Sequence, residues 1–90
     1  MKIEFDPAKR EQTLRERGLD FAEAGVVFDQ YTLTLIDGRK EYGENRFISY
    51  GMMNAAVVAC VWTQRGEALR IISLRKAKKN EREIYARNRP

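Results

Sequence analysis

An α+β domain is what this sequence predicts, and three observations carry that expectation. Helix-start signals stand at Asp6-Pro7 and at Asp20, the apolar period changes to two after Tyr31, and the chain ends in a charged stretch of helical composition. The 90 residues give room for one domain, residues 1–90, with one modest core. The expected architecture is an antiparallel β-sheet of about four main strands plus a short N-terminal strand, with two N-terminal helices and one C-terminal helix, in two layers.

"MKIEF" reads as the short first strand. Asp6 is an N-cap, and Pro7 fits the first helical position because its missing N–H is unused there, so a helix is expected over "AKREQTLRERG", stopping at Gly18. Asp20 then caps a second short helix, "FAEAGVVF", whose Phe21, Ala24 and Phe28 recur at helical spacing and form a core stripe. In "TLTLI" Leu33 and Leu35 alternate with threonines as in a strand, which Asp37-Gly38 ends. "RFISYG" is the next strand, and Met52, Met53 and Asn54 connect it to "AAVVACVWT", whose unbroken apolar character predicts a central strand buried on both faces. "QRGE" is a hairpin turn leading into "LRIISL", and "KAKKNEREIYARN" is the last helix, with Ala77, Ile84 and Tyr85 as its docking residues.

Composition narrows the chemistry. There is no histidine and one cysteine, so the nitrogen and sulfur ligand sets of zinc and copper sites cannot be assembled and no intramolecular disulfide can form; no metal or other cofactor is expected. Cys60 lies in the apolar run and reads as a buried thiol. No apolar stretch approaches the roughly 20 residues that span a bilayer, and the N-terminus lacks the apolar core of a secretory signal, so a cytoplasmic protein with no membrane partner is expected. The net charge of +4 is unevenly spread: eight Lys or Arg against two acids lie between Leu69 and Pro90, which favours a polyanionic partner.

Strict alternation in the last strand puts Leu69, Ile71, Ser73 and Arg75 on one face and Arg70, Ile72, Leu74 and Lys76 on the other. Arg70 and Arg75 therefore share a ligand only if a bulge intervenes, and Arg70, framed by apolar residues, is expected to pair with an acid such as Glu44 or Glu41. Arg75 and Lys76 sit where a phosphate can be approached, the first as a bidentate fork and the second as a point charge. The segment "DGRKEYGENRF" would add Glu44 and Arg46 if it folds over the sheet toward Arg75; otherwise it is a hairpin with surface ion pairs. Trp62 reads as core, whereas Tyr42 and Tyr85 have polar neighbours and are candidates for stacking on bases.

The strings "FDPAKREQTLRERGLDFAEAGVVFD", "DGRKEYGENRFISYG" and "VWTQRGEALRIISLRKAKKNEREIY" together resemble the BrnT toxins, small RelE-like ribonucleases of bacterial toxin–antitoxin operons. "RIISLRKA" followed by "EREIY" is the most specific part. The chain departs from the family pattern at Glu16-Arg17-Gly18, where Lys-His-Gly is common, at Lys40, where His is common, and at Thr13 and Leu74.

The resemblance implies a RelE-like fold and an endoribonuclease toxin that cuts RNA. It also implies a BrnA-like ribbon-helix-helix antitoxin that neutralises the toxin, alone brings it to operator DNA, and leaves room for a dimer or higher assembly. Without histidine or metal, cleavage needs a base for the 2′-hydroxyl, cations around the phosphorane and a donor for the leaving 5′-oxygen. The expected catalytic set is Glu44 as base, Arg46, Arg75 and Lys76 on the phosphate, and Lys40 or Tyr85 as donor. Arg65, Arg70, Lys78, Lys79 and Arg82 are the expected RNA-binding residues. The alternative is a catalytically silent RNA-binding or protein-interaction module on the same fold.

Overall fold

The computed structural model describes residues 1–39 and 41–90. Five strands form one sheet: β1 (Lys2–Glu4), β2 (Leu33–Ile36), β3 (Phe47–Met53), β4 (Ala56–Arg65) and β5 (Ala68–Lys76). They are ordered β1-β5-β4-β3-β2, so the apolar run of β4 occupies the centre, as its composition requires. β2 to β5 form the antiparallel meander, but β1 pairs parallel with β5, Ile3 opposite Leu69, and the sheet is therefore mixed rather than antiparallel. Pairing between the first and last strands is non-local, and no local pattern fixes its direction.

Helix α1 (Pro7–Arg17) begins where Asp6 accepts the Ala8 N–H at 2.9 Å and ends at Gly18, which takes the left-handed conformation. It buries no residue; Arg10 donates to Asp20 through Nε and Nη2 at 2.7 and 3.0 Å, and Arg17 donates to the Leu74 carbonyl at 2.9 Å. Asp20 also caps the next helix through the Ala22 N–H. That helix, Phe21–Phe28, is a 3₁₀ helix; its fully buried stripe is Phe21, Ala24 and Val27, while Phe28 packs against the same core partly buried. Three residues per turn bring every third side chain inward.

The helices do not lie in one layer. Leu19, Phe21, Ala24 and Val27 pack with Met53, Val58, Cys60, Leu69, Ile71 and Leu74 on one face of the sheet. Helix α2 (Lys79–Asn88) lies on the other face, where Ala77 and Tyr85 join Tyr50 and Ala59. Val58 and Cys60 alternate with Val57 and Ala59 along β4, and this alternation assigns each cluster its face. The two-layer expectation fails because the central strand is apolar on both sides and both must be covered. α2 also starts at Lys79, later than its helical composition begins, because β5 runs to Lys76 and the Ala77 N–H still bonds the Val57 carbonyl at 2.9 Å. β3 likewise runs on through Met53, and Asn54-Ala55, both at positive φ (52° and 62°), turn it back into β4.

Buried polar groups in the core are satisfied. Ser49 Oγ meets Thr34 Oγ1 at 2.7 Å and accepts from Trp62 Nε1 at 2.8 Å, and Trp62, expected as core, is partly buried against the first core with its ring edge-on to Phe28. Cys60 is buried, and desolvation pushes its thiol up to about 12.

At Gly51 the sheet approaches the 3₁₀ helix closely. A Cβ there would lie 2.8 Å from both Val27 Cγ1 and the Val27 carbonyl oxygen. Backbone cannot give way as a side-chain tip can, so Gly51→Ala is expected to lower stability by about 1–3 kcal/mol, read as a lower urea midpoint at unchanged m-value.

Candidate active face of the sheet

One register irregularity decides where the charged side chains of β5 go. Cys60 pairs with Leu74 and Val61 with Ser73, yet Trp62 pairs with Ile71, so Ile72 is an extra residue and β5 is bulged there. The bulge reverses the alternation. Leu69, Ile71 and Leu74 all reach the first core, while Arg70, opposite Thr63, Ser73, opposite Val61, and Arg75, opposite Ala59, share the other face. The bulge condition set by the sequence is therefore met, and Arg70 and Arg75 lie on one side. Lys76, opposite Val58, leaves from the helix α1 side and is exposed, so it does not accompany Arg75.

α2 covers only one end of this face. Tyr85 anchors it: the side chain is buried, its ring packs on Tyr31 at 5.1 Å, and its hydroxyl donates to the Tyr31 carbonyl at 3.1 Å. The residue expected to stack on a base or donate a proton is thus placed in the second core.

Beside it stands Glu81, which composition left among the acids of a basic helix. Its carboxylate accepts from Arg75 Nη1 and Nη2 at 2.8 and 2.9 Å, from Tyr50 Oη at 3.0 Å and from the Lys78 backbone N–H at 2.7 Å. The bond from Arg75 is the main reason the Glu81 carboxyl is held down at about 2, with the Lys78 N–H and Tyr50 adding to it. Burial raises the Tyr50 hydroxyl above its usual range, and the neighbouring Glu81 carboxylate raises it further.

The segment after β2 folds over the same face. Its base is closed by Asp37 N–H to the Arg46 carbonyl at 2.8 Å, and Thr63 Oγ1 donates to the Asn45 carbonyl at 2.7 Å. Asp37 is buried and accepts from Arg39 Nε and Nη2 at 2.8 and 2.9 Å and from Tyr42 Oη at 3.3 Å; chiefly through Arg39 its carboxyl is held at about 2.

Arg46 lies over the Tyr42 ring, 4.1 Å from its centre, and donates to Glu44 at 3.2 Å. Arg65 stands 3.8 Å from both Glu44 and Glu4. Arg70 bonds Glu4 at 2.7 Å. Arg70 is therefore an ion-pair member as expected, but its partner comes from the parallel edge strand and not from Glu44 or Glu41.

The structure thus brings Glu44, Arg46, Arg65, Arg70 and Arg75 to one face. It places Lys76 behind the sheet and Tyr85 in the core, and Lys78, Lys79 and Arg82 on the exposed start of α2. Lys40 lies outside the described residues. Glu4, Asp37, Arg39, Tyr50 and Glu81 are the face's unanticipated members. Only Glu81 had a local signal, its position three residues after the residue that precedes the helix, where a carboxylate bonds back to the chain. Among the described residues no group of His, Cys, Asp or Glu is arranged to hold a metal ion, and no helix is long and apolar enough to cross a membrane.

Comparison with known families gives a match over residues 5–81 to the model described as "Ribonuclease toxin, BrnT, of type II toxin-antitoxin system". No curated protein matches the chain.

Glu81 and Asp37 both have depressed carboxyls, so each stabilises the fold fully above its ordinary range, near 4.5 and 3.8, and loses that contribution as pH falls toward 2. Glu81→Gln is expected to cost about 2–3 kcal/mol at pH 7 and to flatten the fall in stability between pH 4.5 and 2, measured by urea unfolding across pH.

Proposed function

This chain belongs to the BrnT family of ribonuclease toxins of type II toxin–antitoxin systems, and on that premise we propose that it is a metal-independent endoribonuclease of the cytoplasm. Its cleavage of RNA stops translation and growth until a BrnA-like ribbon-helix-helix antitoxin neutralises it. The observation that supports this reading best is the bulge in β5. It puts Arg70, Ser73 and Arg75 on the same face of the sheet, where Thr63, opposite Arg70, holds the Asn45 carbonyl beside Glu44 and Arg46.

Cleavage proceeds by attack of a ribose 2′-oxygen on the adjacent phosphorus, with departure of the 5′-oxygen. Glu44, flanked by Arg46 and Arg65, takes the 2′ proton. Arg75 and Arg46 are guanidinium forks suited to the equatorial oxygens of the phosphorane, whose charge grows in the transition state. Lys40 supplies the proton to the leaving oxygen. Arg65 and Arg70 line the face, and Lys78, Lys79 and Arg82 hold the flanking strand.

Phosphate must compete with an internal anion at Arg75, because Glu81 holds both terminal nitrogens. That competition favours a second reading. Arg39, Arg46, Arg65, Arg70 and Arg75 are each matched by a carboxylate, as befits a module that binds without cutting.

Structured RNA incubated with the protein in EDTA separates the two. New 5′ ends should appear with the wild type and fall by about 100-fold with Arg75→Ala and with Glu44→Ala. Equal background from all three, with RNA still shifted on a gel, would leave the silent module standing.

A further inference from the structure

Among the described residues, a concentration of unmatched positive charge lies away from the paired arginines, at the end of β5. Lys76, Lys78 and Lys79 have no carboxylate partner among the described residues. Two guanidinium groups stand beside them, each held by a backbone carbonyl and not by an acid. Arg17, at the end of α1, donates through Nη1 to the Leu74 carbonyl at 2.9 Å. Arg82, in α2, donates through Nη1 to the Ala77 carbonyl at 2.8 Å.

These two carbonyls bracket Lys76 along the chain. Each guanidinium spends one donor on the backbone and keeps its full charge and its other N–H groups. Arg17 and Lys76 belong to the helix α1 side of the sheet, whereas Arg75 and α2 belong to the other. The cations therefore wrap around the C-terminal end of β5 and join its two faces.

We propose that the end of β5, with Arg17, Lys76, Lys78 and Arg82, is a binding site for the phosphodiester backbone of single-stranded RNA, which carries the strand from the arginine face around the sheet to the α1 side. This goes beyond the cleavage site and rests on the ribonuclease reading. Carbonyl-held guanidiniums are pre-positioned cations, so a phosphate entering there displaces no carboxylate. At Arg75 it must displace Glu81. The strand is thus gripped first where the charge is free, and the reacting phosphate is presented from that grip.

The test uses a fluorescently labelled 2′-O-methyl RNA of mixed sequence, which cannot be cleaved through its 2′-oxygen, and follows anisotropy across salt concentration. Lys76→Glu and Arg17→Glu are each expected to weaken binding about tenfold and to lower the slope of log affinity against log salt by about 0.7 for each phosphate no longer neutralised. Lys2→Glu, an equal change of charge at an exposed site on β1, should stay within about twofold of wild type. Circular dichroism melting of Lys76→Glu, whose side chain is exposed and unpaired, should match wild type.

Affinity and slope of Lys76→Glu equal to those of Lys2→Glu would overturn the site while leaving the ribonuclease reading intact. Failure of the wild type to bind RNA at all would overturn both. Loss of a bound partner protein by Lys76→Glu, with RNA binding unchanged, would also overturn it by assigning the patch to protein.

Discussion

β5 has to serve two faces whose demands are out of step. Leu69 and Ile71 belong in the first core and so does Leu74, but the interval from Ile71 to Leu74 is odd, and a regular strand would turn Leu74 out and Arg75 in. Burying an unpaired guanidinium costs several kcal/mol, and so would leaving Leu74 in water beside a cavity. One extra residue at Ile72 removes the conflict. The placement of the later β5 side chains on the second face follows from it: Ser73 and Arg75 join Arg70, Arg75 comes within reach of Glu81, and Glu81 ties the start of α2 to the sheet through Tyr50.

The electrostatics of that face are close to balanced. Glu81 accepts four hydrogen bonds, Asp37 is closed by Arg39 and Tyr42, and Glu4 and Glu44 are strung between Arg46, Arg65 and Arg70. Pairs such as Arg65 with Glu44 at 3.8 Å and half exposed contribute little to stability, whereas the Arg75–Glu81 fork is mostly shielded from water. Such a lattice keeps guanidinium groups ordered and oriented. It also makes anion binding an exchange of partners, and the free charge around the end of β5 supplies attraction that the face itself does not.

Much of this was legible residue by residue. Asp6-Pro7, Gly18 and Asp20 set the first helices by capping chemistry, the apolar run "AAVVACVWT" placed the central strand, and Gly66 turned the last hairpin. The odd spacing of Leu69, Ile71 and Leu74 was the sign of the bulge, readable only once all three are known to be core. What local pattern did not carry was contact between distant segments. The parallel pairing of β1 with β5 brings Glu4 to Arg70 across 66 residues of chain, and the packing of α2 on the opposite face takes Tyr85 out of solvent. The 3₁₀ period of residues 21–28 makes Val27 the fully buried residue and leaves Phe28 partly buried beside it, a difference of one position that composition does not resolve. The family resemblance named the ribonuclease class, and Arg70 and Arg75 share a face only through the bulge.

If the bulge makes the α2 side of the sheet the face that meets RNA, an amide chemical-shift titration with a non-cleavable single-stranded RNA will read it directly. The largest shifts should fall on Thr63, Arg70, Ser73 and Arg75, with Glu44 and Arg46 of the covering loop, while Ala22, Val26 and Asp29 on the 3₁₀-helix side stay still. Shifts concentrated on the 3₁₀ helix, with Arg70 and Arg75 unmoved, would contradict it.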